Sequence, residues 1–171
     1  MTERLALEFI CGLGMPPIEF VDLAARLDCR GIGLACGPVV AVPELYPAWS
    51  LRDDPGLRRE TKAALDANGV AISLGEGILI RPGTEVRDQL GDVEILANLG
   101  ALRINVVSIE SDWERNVDQF AAFAAMAAEH GCSATLEYMP GMPIGDLSSA
   151  QRLLQQVGAS HTGVQIGRAH V

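Results

Sequence analysis

The stretch that decides the fold of this chain is Glu129-His130-Gly131-Cys132-Ser133-Ala134-Thr135-Leu136-Glu137-Tyr138. It begins with the end of an Ala-rich segment, passes through Gly131, and continues as a short run in which apolar and polar residues alternate. A glycine ends the last turn of a helix at low cost because it tolerates positive φ. The stretch therefore predicts a helix that ends at a glycine and is followed directly by a β-strand.

The same sequence pattern, a helix end followed by a glycine and a short strand, recurs along the whole chain. Its glycines lie at positions 31, 69, 100, 131 and 158. We predict strands at about residues 5–11, 32–36, 70–75, 102–108, 133–138 and 162–166, with one helix between each pair. Pro17, the pair Asp54-Pro55, and Ser111 with Glu114 as a capping box are predicted helix starts. Strict alternation of strand and helix predicts parallel strands, in either a doubly wound sheet or a (β/α)8 barrel.

The alternation within the fifth strand favours the barrel. Ala134, Leu136 and Tyr138 share one side of that strand, while Ser133, Thr135 and Glu137 share the other. A barrel strand presents one face to the helices and the other to the lumen, which suits this division. We therefore predict an incomplete (β/α)8 barrel of about five and a half βα units over residues 1–166, since a complete barrel needs roughly 250 residues.

Composition limits the class of protein. The chain has 171 residues, of which 49% are hydrophobic, so we expect a single soluble domain. A net charge of −9 argues against nucleic acid as a partner, because binding phosphates needs clustered cations. The longest run without a polar side chain in a predicted helix, Phe120 to Ala128, is shorter than the roughly 20 residues that span a bilayer. The N-terminus shows no secretory signal, so we expect a cytoplasmic protein that does not bind membranes.

Candidate site residues follow from the barrel prediction, because the functional residues of such barrels lie at the carboxyl ends of the strands. Glu137 ends the fifth strand and is the main candidate. Glu8 and Asn105 share the lumen parity of the first and fourth strands, which predicts contacts with substrate hydroxyls, or else a buried polar layer. Glu76 and Glu110 lie just past strands, where solvated loop carboxylates are the expectation.

The histidines give weaker signals. His130 ends a helix, where a cation suits the helix dipole, and His161 begins a strand at the opposite face of the barrel from the catalytic end. We expect structural roles for both.

The run Ala134-Thr135-Leu136-Glu137-Tyr138-Met139-Pro140, together with the glycine-bounded strand starts and the sixth strand 161–166, resembles the xylose isomerase-like family of sugar phosphate isomerases and epimerases over residues 5–166. In that family the Glu that ends the fifth strand binds a divalent cation (Mn, Mg or Zn), and in epimerases it also moves a proton. The resemblance assigns both roles to Glu137. It implies a small sugar or sugar phosphate as substrate and proton transfer through an enediolate. Whether the protein forms a homo-oligomer stays open.

The chain departs from the family after its sixth strand. The family supplies further ligands as an Asp ending strand six, a His from strand seven and a Glu from strand eight. Where the family reads Gly-Val-x-x-Asp-x-x-His, this chain reads Gly163-Val164-Gln165-Ile166-Gly167-Arg168-Ala169-His170. Gln165 to Val171 is also the translation of CAG ATC GGA AGA GCA CAC GTC, the start of a common sequencing adapter. We expect residues 167–171 to be an artefactual tail and this fragment to be inactive.

Two other classes stay open on the sequence alone. A doubly wound nucleotide-binding domain would use Gly12-Leu13-Gly14-Met15-Pro16-Pro17, although Pro17 occupies the place of the last glycine of that motif. A non-catalytic ligand-binding barrel would keep the strands without the metal ligands. Dehydratases of cyclic polyols resemble the isomerases at this level.

Overall fold

The structure is a computed structural model that describes residues 5–166. Its strands are β1 (Ala6–Leu7), β2 (Gly31–Ala35), β3 (Ala71–Ile80), β4 (Arg103–Ser108), β5 (Ser133–Tyr138) and β6 (Thr162–Ile166). Its α-helices are α1 (Pro17–Arg26), α2 (Pro55–Asn68), α3 (Leu90–Leu99), α4 (Trp113–Glu129) and α5 (Leu147–Val157), and short 3-10 helices occupy Phe9–Gly12 and Val86–Gln89. The predicted alternation of strands and helices is confirmed.

The strand order distinguishes the two architectures that the sequence allowed. The strands are hydrogen-bonded neighbours in the order β1-β2-β3-β4-β5-β6. The β1–β2, β2–β3, β4–β5 and β5–β6 pairs are parallel. A doubly wound sheet reverses its strand order beside the first strand, whereas a barrel keeps chain order. The incomplete (β/α)8 barrel is confirmed, and the doubly wound alternative is wrong.

The described residues group into two compact units, each with its own core. The first unit contains residues 5–77 and 94–102. Phe20 of α1 and Leu34 of β2 are fully buried in it. The ring of Phe9 stands edge-on to Phe20 at 5.7 Å and to Trp49 at 6.1 Å between ring centroids. Such edge-to-face pairs add to the stabilisation that burial provides.

The second unit contains residues 78–93 and 103–166. Its core includes Phe120 and Phe123 of α4, whose ring centroids lie 6.1 Å apart. Both α4 and α5 pack against β5, and Ala134 and Leu136 of that strand are buried. Thr135 and Glu137, which alternate with them, are only half-buried. The predicted division of the fifth strand into an apolar face and a polar face is therefore confirmed at these positions.

The first strand is shorter than predicted. It ends at Leu7, and the chain then turns into the 3-10 helix at Phe9–Gly12. The turn is closed by backbone hydrogen bonds from Cys11 N to Glu8 O and from Leu13 N to Ile10 O. Apolar composition alone could not reveal that local hydrogen bonds replace the sheet hydrogen bonds after Leu7.

The third strand is longer than predicted and irregular. Ile32 pairs with Ile72, but Gly33 pairs with Leu74, so Ser73 is an extra residue in β3. Such a bulge interrupts the alternation of side chains between the two faces of the predicted strand at residues 70–75. The strand also continues through its glycines to Ile80. Glu76 consequently lies inside β3, in register with Ala35, instead of in a loop after the strand.

Aspartates begin three of the described helices. Asp54, Asp112 and Asp146 each accept a hydrogen bond from the backbone N–H three residues later. The start predicted at Asp54 is confirmed, but the capping box predicted from Ser111 is wrong, because Asp112 is the N-cap. Both side chains can cap a helix, and only the backbone path selects between them. The hydrogen bond from the backbone of Ser149 lowers the pKa of Asp146 below its usual value.

Gly14 holds the segment after β1 against the segment after β2. Its φ is +87°, and a Cβ there would lie 2.6 Å from the carbonyl oxygen of Val40. The indole N–H of Trp49 donates to the carbonyl oxygen of Gly14 at 2.9 Å. Only glycine accepts both this backbone conformation and this close approach.

No helix within residues 5–166 is long and apolar enough to cross a membrane. Residues 167–171, including His170, lie outside the described part of the chain, so the artefactual tail stays a prediction.

We predict that Gly14→Ala destabilises the protein more than Gly83→Ala, which serves as the matched control. Gly83 also has positive φ, but no atom lies within 4 Å of its added Cβ. Gly83→Ala should therefore cost only the backbone strain, about 1 kcal/mol. Gly14→Ala should cost a further ~1–3 kcal/mol because the Val40 carbonyl must move. Urea unfolding followed by circular dichroism measures both, and equal losses would contradict the close packing at Gly14.

Candidate functional site

The candidate site is built on Glu137, the residue before the last of β5. Its register partners are Val107 on β4 and Gln165 on β6. The carboxyl ends of parallel strands carry the functional groups in barrels of this kind. Glu137 therefore occupies the position predicted for a functional carboxylate, and it is half-buried there.

Asn105 on β4 is the neighbour that holds the Glu137 side chain. Its Nδ2 donates a hydrogen bond to Oε2 of Glu137 at 2.6 Å. Asn105 is buried, with 5% of its surface exposed. The structure thus joins Glu137 and Asn105, two of the three predicted site residues, by a direct hydrogen bond.

Thr135 extends this contact into a row of three polar side chains. Its Oγ1 lies 3.1 Å from Oδ1 of Asn105 and 3.2 Å from the carbonyl oxygen of Ile104. Thr135 and Glu137 are two residues apart on β5 and so share one face of the strand. On the neighbouring strand, Gly163 is the register partner of Thr135 and has no side chain on that face. The alternation of polar residues along β5 was the sequence signal for this row.

Glu8 belongs to the first unit, where it lies between β1 and the following 3-10 helix with an exposed side chain. Its backbone carbonyl accepts the hydrogen bond from Cys11 that closes the turn. The role predicted for its carboxylate, contact with substrate hydroxyls, stays a prediction.

The metal-binding capacity of the described chain is limited. No group of three or more His, Cys, Asp or Glu side chains within residues 5–166 could hold a metal ion. The Glu137 carboxylate is the kind of hard oxygen donor that Mg²⁺ and Mn²⁺ prefer, but it is one ligand of the several that such a cation needs. The described residues alone therefore do not form a complete divalent-cation site. His130 is the C-cap residue of α4, and His161 lies just before β6 with an exposed side chain.

Glu110 departs from the sequence prediction. We expected a solvated loop carboxylate, but Glu110 is buried and accepts a hydrogen bond from Nε of Arg115 at 3.0 Å. The other nitrogens of Arg115 donate to Glu85 Oε1 at 3.2 Å and to the carbonyl oxygen of Thr84 at 2.8 Å. The solvated prediction failed because Arg115, although only five residues further on, is held beside Glu110 by the start of α4 at Trp113 and by its hydrogen bond to the distant Glu85.

Gln119 joins the same network from one helical turn further along α4. Its Nε2 donates to Glu85 Oε2 at 2.6 Å, and its Oε1 accepts from the backbone N–H of Val86 at 2.6 Å. The hydrogen bond from Gln119, and then that from Arg115, lowers the pKa of Glu85. The hydrogen bonds to Glu110 and Glu85 raise the pKa of Arg115. The network fastens the segment after β3 to the start of α4.

Glu76 is a carboxylate that the sequence analysis placed in a loop after the third strand. It lies inside β3, half-buried, and its Oε1 occupies the space that a Cβ at residue 33 would need. Gly33 therefore makes room for this carboxylate. The register partner of Glu76 is Ala35, two residues after Gly33. The available signal was therefore a glycine on the neighbouring strand, and the bulge at Ser73 had to be known before Gly33 and Glu76 could be placed side by side.

Solved structures match the chain over nearly its full length. A xylose isomerase domain containing protein from Salmonella typhimurium LT2 aligns with a TM-score of 0.78 and 16% identity, over 95% of this chain and 60% of that protein. The probable 3-DHS dehydratase of petrobactin synthesis from Bacillus anthracis aligns with a TM-score of 0.73 and 18% identity, over 97% and 62%. D-psicose 3-epimerase from Clostridium cellulolyticum H10, solved with D-tagatose, aligns with a TM-score of 0.66 and 13% identity, over 97% and 63%.

A xylose isomerase-like TIM barrel protein from Mycobacterium smegmatis, solved in complex with magnesium, aligns with a TM-score of 0.66 and 17% identity, over 96% of this chain and 64% of that protein. No family model and no curated protein sequence gives a significant match. The chain spans 60–64% of the length of these four solved proteins.

The class of fold is therefore the incomplete (β/α)8 barrel, and within that class the chain has the xylose isomerase-like fold. The resemblance predicted from the sequence is confirmed at the level of the fold.

We predict a defined pH dependence for the contribution of Glu85. Because the folded pKa lies below the ordinary value of 4.5, the stabilisation is present in full above about pH 4.5 and is lost as the pH falls through the folded pKa. The gap in unfolding free energy between wild type and Glu85→Gln should be clear at pH 7 and should close towards pH 3. Urea unfolding at a series of pH values measures it.

Glu94→Gln, at an exposed position of α3, is the control for the removal of a carboxylate. A gap for Glu85→Gln that widens as the pH falls would contradict the role assigned to the Gln119 and Arg115 hydrogen bonds.

Proposed function

We propose that the full-length protein to which this chain belongs is a divalent-metal-dependent isomerase or epimerase of a small sugar or sugar phosphate. The observation that carries the proposal is the position of Glu137 at the carboxyl end of β5, held by Asn105 at 2.6 Å. A carboxylate in this place can act as a cation ligand and as a proton carrier.

The chemistry suits a carboxylate of this kind. Isomerisation and epimerisation both remove a proton from a carbon beside a carbonyl group, which leaves an enediolate. Epimerisation returns a proton to the opposite face of the same carbon. Isomerisation returns it to the adjacent carbon, and the hydroxyl proton also moves to the former carbonyl oxygen. Atoms and electrons balance without an oxidant or a reductant. A bound divalent cation supplies stabilisation of the negative oxygen in such a reaction. Glu137 would accept or return the proton with its carboxylate.

The comparisons support the substrate class and the cation. One matched structure is a sugar 3-epimerase with a ketose bound, and another contains magnesium. The described residues contribute Glu137 to such a site, and the proposal requires the other ligands from the part of the barrel that these larger proteins have in addition. The proposal covers Mn, Mg or Zn as the metal and a small sugar or sugar phosphate as the substrate.

The remaining features of the proposal are a small-molecule sugar as partner and a cytoplasmic location without nucleic-acid or membrane partners. All four cysteines lie in the described residues, and none is in a disulfide. Reduced thiols are typical of a reducing compartment, which supports the cytoplasm. The net charge of −9 supports the absence of a nucleic-acid partner.

The test uses a version of the protein extended to the full length of the barrel, assayed on ketoses and their phosphates with manganese, then with a chelator. We predict that Glu137→Gln lowers turnover at least about 100-fold, because the amide keeps the shape but loses the charge and the proton acceptor. The 171-residue chain should show no turnover. Product analysis by mass separates isomerisation from dehydration, which removes one water.

Glu129→Gln, an exposed position at the end of α4, is the matched control and should turn over like wild type. Full turnover of Glu137→Gln, or turnover unchanged by the chelator, would contradict the proposal. Binding of a sugar without turnover in the full-length protein would instead favour the non-catalytic ligand-binding barrel.

A further inference from the structure

We infer that Asn105 is a positioning residue for Glu137, and that Thr135 sets the orientation of the Asn105 amide. The sequence left open whether Asn105 contacts substrate hydroxyls or belongs to a buried polar layer, and the geometry points to a positioning role. The inference rests on the proposed function only because it takes Glu137 as the carboxylate that transfers the proton.

The first step concerns where the Asn105 amide directs its hydrogen bonds. Its Nδ2 donates to Glu137 at 2.6 Å, and Asn105 is 95% buried. A buried amide must satisfy its donors and its acceptor within the protein, because unpaired polar groups are costly there. Asn105 therefore uses its polar atoms on β5 and presents little surface to a substrate.

The second step concerns the direction of the amide. Turning it by half a rotation would place Oδ1 of Asn105 against the carboxylate of Glu137, and two acceptors repel each other. The hydroxyl of Thr135 has two acceptors for its single proton, Oδ1 of Asn105 at 3.1 Å and the carbonyl oxygen of Ile104 at 3.2 Å. When the proton is donated to Oδ1, it adds to the preference for the observed direction of the amide. Asn105 and Thr135 are register partners, so the sheet itself keeps this pair together.

The third step is the effect on Glu137. Long acidic side chains sample several rotamers, and a short bond from a rigid, buried strand residue restricts them. Catalytic groups must be held close to the productive geometry, so loss of such a bond lowers the turnover rate more than it weakens substrate binding. A purely structural role for Asn105 would lower stability and leave the turnover of the folded molecules unchanged.

The experiment compares Thr135→Val, which removes the hydroxyl at nearly constant shape, with Thr135→Ser, which retains it. In the full-length protein with manganese, we expect Asn105→Leu to lower kcat about 10- to 100-fold, as is typical when the partner of a ligand is lost. Thr135→Val should lower kcat by about 10-fold and Thr135→Ser should restore it, with KM changing less than about 3-fold throughout. Thermal unfolding by circular dichroism shows that each variant is folded at the assay temperature.

A second readout needs neither activity nor metal. In the 171-residue chain, the two side-chain amide protons of Asn105 should differ widely in NMR chemical shift, because one is bonded to the Glu137 carboxylate. Thr135→Val should reduce this difference, and Thr135→Ser should preserve it. Identical shifts in wild type, Thr135→Val and Glu137→Gln would overturn the inference.

The outcomes separate the inference from the proposed function. If Glu137→Gln loses turnover while Asn105→Leu and Thr135→Val keep the wild-type kcat, Asn105 is not a positioning residue, and the proposed function stands. A rise in KM that accounts for the whole loss in Asn105→Leu would return Asn105 to substrate binding and overturn the inference. If Glu137→Gln keeps full turnover, the proposed function fails, and the NMR comparison then decides whether the orientation of the amide depends on Thr135.

Discussion

The period of two along β5 is the constraint on which the candidate site depends. Ala134 and Leu136 are buried on the side where α4 and α5 pack, and the pleat then turns Thr135 and Glu137 to the other face. A slip of one residue in the register would place two apolar side chains on the polar face and a carboxylate in the core. The packing that stabilises the second unit is therefore the same packing that orients Glu137.

Buried polar groups in this unit are matched by partners from neighbouring elements. Asn105 donates to Glu137 across the β4–β5 pair, and Glu110 is compensated by Arg115 of α4. Such pairs are poor evidence for net stability, because removing charged groups from water offsets much of the attraction. Their effect is on geometry, because each hydrogen bond favours one orientation of the side chains at the carboxyl ends of the strands.

Glycines shape the first unit at the points where side chains or backbones come closest. Gly33 leaves the space that the Glu76 carboxylate occupies, and Gly14 allows the Val40 carbonyl to approach. These positions differ from the helix-ending glycines such as Gly69 and Gly158, which serve the backbone conformation of the cap. The sequence alone does not show which of these uses a glycine has, because that depends on its neighbours in space.

The sequence by itself determined the alternation of strands and helices, the helix ends at Gly69 and Gly158, and the position of Glu137 at the end of a strand, because these depend on local periodicity and backbone preference. Only the tertiary structure decided the bulge at Ser73, the inclusion of Glu76 in β3, and the hydrogen bond from Arg115 to Glu85 that completes the network around the buried Glu110. It also decided that Asn105 bonds to Glu137, 32 residues away along the chain. The physical reason is that contacts between side chains on different strands and helices depend on register, and register is set by pairing and packing across the fold instead of by neighbours in the sequence.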